Sequence, residues 1–126
     1  MSPRYRCIVP LVLALIAFAA APASATRVVR INSTLTISER APAFHGKVKS
    51  PNGACRGGRK VKLFRKESGP DKLLGSTHSK QNGSWLIPTD LHGSAAYYAK
   101  VTGRREGTAG TIFVCRGDRS RTVFVD

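Results

Sequence analysis

Lys60-Val61-Lys62-Leu63-Phe64-Arg65-Lys66, followed at once by Glu67-Ser68-Gly69-Pro70-Asp71, is the stretch that decides the fold class. Val61 and Leu63 alternate with Lys60 and Lys62, the period of two that gives a strand one dry face and one wet face. The Gly-Pro pair then breaks the run. Working outward, the same grammar repeats. Upstream, Val28–Ile37 is a first run and Ala43–Lys49 a second, closed by Ser50-Pro51-Asn52-Gly53. Downstream come Leu73–Ser79, Ser84–Pro88, Ala95–Thr102, Thr111–Cys115 and Arg121–Val125. Asn82-Gly83 reads as a hairpin turn with both residues at positive φ, and Gly103–Gly110 reads as a polar loop.

No amphipathic helix of useful length is present. Seven or eight short alternating strands predict an all-β, Ig-like two-sheet sandwich. The expected core is Leu35, Ile37, Phe44, Val48, Val61, Leu63, Trp85, Ile87, Val101, Ile112, Val114, Val123 and Val125.

The chain opens as an export signal does. Arg4 and Arg6 supply a positive start, Ile8–Ala21 is apolar apart from Pro10, and Ala23-Ser24-Ala25 offers small residues for cleavage after Ala25. A membrane anchor is the rival reading, but Leu11–Ala21 falls short of the roughly 20 apolar residues a span needs. No transmembrane span is expected after cleavage. The expected organisation is a signal over residues 1–25 and one domain over residues 26–126, of a size suited to folding alone. The expected location is extracellular or in the cell envelope.

Removing the signal discards Cys7 and leaves Cys55 and Cys115, an even count for an oxidising compartment. The two are expected to pair, stabilising the domain by about 4 kcal/mol on the chain-entropy model. Two cysteines without a neighbouring Cys or His make a poor metal site.

Charge is the functional signal above background. The full chain carries a net +14. The part after Ala25 keeps nineteen Lys and Arg against seven acids, a net of +12. Lys47, Lys49, Lys60, Lys62, Lys66 and Lys100 occupy the polar phase of their strands, so several could share an outer sheet face. Arg56, Arg59, Arg104, Arg105, Arg116, Arg119 and Arg121 are assigned to loops around the cysteines. Such a surface attracts polyanions through a salt-sensitive field. Outside a cell these are anionic wall polymers, acidic polysaccharides, lipid headgroups or stray nucleic acid. The six strand lysines together with Arg104 and Arg105 are the candidate contacts. The bland alternative is that strand lysines only keep sheet edges soluble. Specific nucleic-acid reading is not expected, because no recognition helix is present and Tyr97 and Tyr98 are the one aromatic pair in view.

Around the turn the sequence reads Gly75-Ser76-Thr77-His78-Ser79-Lys80-Gln81-Asn82-Gly83-Ser84-Trp85, followed by Tyr97-Tyr98-Ala99-Lys100-Val101. Upstream stand Phe44-His45-Gly46-Lys47-Val48 and Arg59-Lys60-Val61-Lys62-Leu63. This order resembles the carboxypeptidase regulatory-like, or transthyretin-like, β-sandwich domains over roughly residues 43–125. With its cysteine pair it is similar to the disulfide-bearing variant of secreted bacterial proteins. The resemblance implies a structural or accessory module more often than an enzyme, and no cofactor is expected. The hydroxyisourate hydrolases of that sandwich depend on a Tyr-Arg-Gly-Ser ending, whereas the last residues here are Thr122-Val123-Phe124-Val125-Asp126, so that activity is not expected.

No nucleophile elbow, metal box or phosphate loop occurs. His45 and His78 fall at solvent-facing strand positions. Asp90, His92 and Ser94 crowd one turn, where nucleophile–base–orienter geometry is hard to reach. A secreted hydrolase is therefore the remote reading. Arg116-Gly117-Asp118 is the tripeptide read by integrins, though Gly-Asp is equally ordinary turn chemistry. The expected function is a non-enzymatic binding module with weak affinity for anionic cell-surface polymers. The alternative is a structural or protein-interaction domain, its partner unknown, with incidental charge.

Overall fold

The computed structural model describes residues 26–40, 43–89 and 94–126. The proposed signal with Ala23 and Ala25, and the cluster at Asp90 and His92, lie outside them. The protein is all-β. Its strands are β1 (Arg27–Ile31), β2 (Thr34–Leu35), β3 (Ser38–Arg40), β4 (Ala43–Lys49), β5 (Lys60–Arg65) and β6 (Lys72–His78), then β7 (Ser84–Pro88), β8 (Ala95–Val101), β9 (Arg104–Thr108), β10 (Thr111–Cys115), β11 (Asp118–Arg119) and β12 (Val123–Val125). A single 3₁₀ turn, Gly53–Cys55, follows β4.

Three sheets result. In the first, β2 and β3 both pair with one edge of β4, and β7 pairs with the other. In the second the order is β11-β8-β5-β6, with β12 continuing the β11 edge on β8. In the third, β1 runs parallel to β10 and β9 runs antiparallel to it.

Alternation explains the main core. Leu35, Ile37, Phe44, Val48, Trp85 and Ile87 come from the first sheet, and Val61, Leu63, Tyr97, Ala99, Val101, Val123 and Val125 from the second. Together they form one buried cluster between the two layers. A smaller cluster of Ile31, Cys55 and Cys115, flanked by Val29 and Phe113, sits under the third sheet. Cys55 and Cys115 are joined in a disulfide with Cα atoms 5.4 Å apart, closing a separation of 60 residues.

Several expectations need correcting. Twelve strands stand among the described residues, against seven or eight expected. Part of the excess is edge strands split by local irregularity. From Arg119↔Lys100 to Val123↔Tyr97, the edge advances four residues against three on β8. That is a β-bulge, which separates β11 from β12. The run Val28–Ile37 breaks at Asn32-Ser33, and its first half joins the third sheet. The polar segment Gly103–Gly110 is largely strand β9, because its backbone pairs with β10 while Arg105 and Glu106 stay exposed. Ile112 and Val114 belong to that sheet, are only half-buried, and lie outside the main core.

The Asn82-Gly83 turn also differs. Gly83 has φ 88°, but no non-glycine residue has positive φ among the described residues. Gly83 N–H donates to Lys80 O and Lys80 N–H to Ser84 O, each at 2.8 Å. This is a turn closed by a glycine bulge, and it joins β6 to β7, which lie in different sheets.

Side chains stitch the two layers at one edge. Leu35 N–H of β2 donates to Asp118 Oδ2 (2.8 Å). Arg121 donates to Ile37 O (3.2 Å). Backbone groups at an open sheet edge are thereby satisfied from the opposite layer.

Between β2 and β3, Lys47 N–H bonds to the Thr36 hydroxyl (2.8 Å). Beside this bond Gly46 has no room for a side chain. A Cβ there would stand 2.0 Å from Thr36 O and 2.9 Å from Trp85 Nε1.

Arg59 is assigned to a surface loop by its surroundings in sequence, yet it is fully buried. Its Nη1 donates to Ser33 Oγ (2.9 Å) and Cys55 O (2.8 Å). Its Nη2 donates to Thr102 O (2.9 Å) and Arg116 O (3.0 Å). Burial, and secondarily the Arg104 charge, hold its pKa below the ordinary arginine value, with Glu106 opposing.

Two outcomes follow for stability. Arg59→Met leaves four acceptors unpaired and is expected to cost about 3 kcal/mol or more. Arg59→Lys recovers little of this, since an ammonium lacks the planar fork. Gly46→Ala is expected to cost about 2–3 kcal/mol through overpacking, whereas Gly53→Ala, with nothing within 4 Å of its Cβ, is expected to be near neutral. Urea midpoints at unchanged m-value are the measurement for both.

Candidate anion-binding face

The second sheet turns its outer face to solvent, and strand register determines what shares it. Lys62 of β5 lies directly opposite Lys100 of β8, and Lys100 lies directly opposite Arg119 of β11. Three cations therefore form one row across three strands. Ser76 of β6 extends the row on the other side of Lys62. Lys60, paired with His78, adds a cation two residues along β5.

Like charges directly opposite on neighbouring strands are destabilising. Among the described residues the ion pairs are Arg65 with Glu67 (2.7 Å) and Arg104 with Glu106 (3.3 Å). Neither involves this row.

The next row is aromatic. Phe64 lies opposite Tyr98, with ring centroids 5.4 Å apart and planes at 15°. Arg119 covers the Tyr98 ring at 3.8 Å from its centroid. Lys100 Nζ stands 5.6 Å from the Phe64 ring and 6.0 Å from that of Tyr98. These cation–π contacts hold the long side chains over the sheet and fix where their charge lies. Tyr98 donates its hydroxyl proton to Asp71 Oδ2. That bond, with a second from the Glu67 N–H (3.1 Å), holds the Asp71 pKa below the usual carboxylate range. The bond to Asp71, and then burial, raise the Tyr98 phenol.

The other proposed contacts are dispersed. Lys47 and Lys49 stand on the exposed face of the first sheet, on the opposite side of the core. A trough of about 490 Å³ there is lined by His45, Lys47, Lys80, Ser84 and Leu86, among others. Lys66 is exposed just beyond β5. Arg104 is committed to Ala54 O and to Glu106. Arg105 is exposed on β9 in the third sheet. Of the eight residues singled out, Lys60, Lys62 and Lys100 therefore share one face. Arg119, Phe64 and Tyr98 complete that face. Phe64 carried a readable signal, since it falls in the wet phase of β5 with Lys60 and Lys62.

The Arg116-Gly117-Asp118 tripeptide is bound into the structure. Arg116 N–H donates to Ile31 O (2.9 Å), and Asp118 accepts from Leu35 N–H. Its carboxylate is thus engaged internally. Among the described residues, no group of three or more His, Cys, Asp and Glu gathers to hold a metal ion. No helix among them is long and apolar enough to cross a membrane.

No protein-family model, curated protein or solved structure matches the chain.

The Tyr98–Asp71 bond sets two titrations. Asp71, depressed in the fold, contributes stability above its unfolded pKa and loses it as pH falls through the folded value. Tyr98, raised in the fold, contributes below the unfolded tyrosine pKa and loses it as pH rises through the folded value. Asp71→Asn is expected to lower the Tyr98 pKa, read as tyrosinate absorbance during alkaline titration.

Proposed function

We propose that the chain is an exported, non-enzymatic β-sandwich module that binds anionic cell-surface polymers weakly, through the outer face of β5, β8 and β11. The observation that carries this reading is the Lys62–Lys100–Arg119 row, three facing cations without a carboxylate partner among the described residues. A sheet serving stability alone gains nothing from such a row, whereas a polyanion relieves its repulsion. A core shared by two sheets and a disulfide between Cys55 and Cys115 support the sandwich and export readings. They also accord with a carboxypeptidase regulatory-like or transthyretin-like fold. No cofactor enters the proposal.

A second reading, a protein-interaction domain with incidental charge, draws on the third sheet. There β1 and β9 both leave one edge without a strand partner among the described residues. Edges of that kind accept an added strand from another chain. A protein partner retained at high salt favours this reading.

Heparin is the first probe. Retention at low salt with elution as salt rises is expected, and no retention at low salt overturns the proposal. Lys62→Gln and Arg119→Gln are expected to elute earlier than Lys47→Gln or Lys49→Gln. Lys62→Gln is also expected to leave stability unchanged or raise it by about 0.2–1 kcal/mol. Loss of binding without loss of stability separates a binding row from a structural one.

A further inference from the structure

The cation row occupies only half of the face. Register continues it into an apolar half. Leu73 of β6 pairs with Phe64, and Phe64 with Tyr98. Two residues further along β8, Ala96 pairs with Phe124 of β12. Phe124 is 78 % exposed and Leu73 is 51 % exposed. Phe124 lies between Val123 and Val125, both buried, so the strand's alternation itself presents the ring to solvent. A phenyl ring left almost wholly in water contributes nothing to the core, and burying it on a partner gains free energy.

The outer face thus has a basic row, then an aromatic row that Leu73 extends at the β6 edge, and beyond it the exposed Phe124 at the β12 edge. A freely soluble polyanion uses the basic row alone. An anionic bilayer presents charged headgroups directly above hydrocarbon and meets all three. Large apolar side chains beside a basic band are the pattern by which proteins seat in the interface without spanning it.

We infer that this face docks on the surface of an anionic lipid bilayer, with Lys62, Lys100 and Arg119 on the headgroups and Phe124 and Leu73 entering the boundary with the acyl chains. The inference rests on the proposed polyanion-binding row and adds the exposed apolar residues to it. Charge complementarity selects the occupant, and the two exposed apolar residues distinguish it from a dissolved polymer. Lys66, at the apolar end, has a stem long enough to return its charge to the headgroup layer.

Vesicles of phosphatidylglycerol and phosphatidylcholine, and pure phosphatidylcholine vesicles, are the probes. Co-sedimentation with the anionic vesicles only is expected. Lys62→Gln and Arg119→Gln are each expected to weaken it roughly fivefold. Phe124→Ser is expected to weaken it about tenfold while heparin elution stays unchanged. Leu86→Ser, at an exposed leucine on the opposite face, serves as the control and is expected to change neither. Phe124→Trp supplies a direct reading, since Trp85 is buried and its environment stays constant. The added indole is expected to shift to the blue on anionic vesicles and not on heparin. Heparin retention combined with vesicle binding indifferent to Phe124→Ser, or with no blue shift, overturns the bilayer inference and leaves the polyanion reading standing. Heparin retention without vesicle binding does the same. Loss of heparin retention as well overturns both.

Discussion

A buried guanidinium holds the protein's three sheets to one another. Arg59 stands just before β5 and reaches the β1–β2 connection at Ser33, the 3₁₀ turn at Cys55, the β8–β9 connection at Thr102 and the β10–β11 connection at Arg116. Three of its four acceptors are backbone carbonyls at places where the chain leaves one sheet for another. Loops of this kind carry carbonyls that no ladder satisfies. One planar donor fork serves them together. Desolvating a cation is costly, and among the described residues no carboxylate forms an ion pair with Arg59, Glu106 acting only as a more remote charge. Converging carbonyl dipoles supply the compensation, and the disulfide fixes two of the segments that present them. Cys55 contributes both the sulfur bonded to Cys115 and the oxygen bonded to Arg59. The covalent link and the polar link therefore share a residue, and the third sheet is joined to the main core by both.

The two main layers are readable in the sequence where their strands alternate, and the pattern fails in β8, where Tyr97, Tyr98 and Ala99 are buried in succession. Val61, Leu63, Phe44, Val48, Trp85 and Ile87 are placed correctly by period alone. Where side chains do not carry the pairing, legibility fails. Strand β9 is polar and held by its backbone to β10, so its residues resemble a loop. Parallel pairing of β1 with β10 joins segments from the two ends of the described chain, which no local pattern encodes. The Asn82-Gly83 turn is recognisable from composition, but a turn does not reveal whether its two strands share a sheet.

Departures from alternation carry the remaining information. Arg59 stands in phase with Val61 and Leu63, so extending the period by one residue places a charge on the dry side. Phe64 stands in phase with Lys60 and Lys62, and Phe124 in opposition to Val123 and Val125, which places aromatic rings on the wet side. The charge in the dry phase marks the structural keystone, and the rings in the wet phase mark the candidate site. A sequence that obeys its pattern elsewhere departs from it where a local rule yields to another requirement.

The two departures also differ in what they demand of the protein. Both terminal nitrogens of Arg59 are satisfied internally, by four acceptors that fold around them, while its buried Nε has no hydrogen-bond partner among the described residues. In the Lys62–Lys100–Arg119 row, Lys100 and Arg119 are satisfied only in part, by aromatic faces that position the cations without neutralising them. Cation–π contacts orient a charge yet leave it available, whereas a carboxylate partner cancels much of its field. Asp71, the acid nearest the aromatic row, is held by the Tyr98 hydroxyl and the Glu67 backbone. Its charge is thereby directed toward the phenol. The same tyrosine stacks on Phe64, lies under Arg119 and bonds Asp71, so Tyr98 links the aromatic row to the cations beside it.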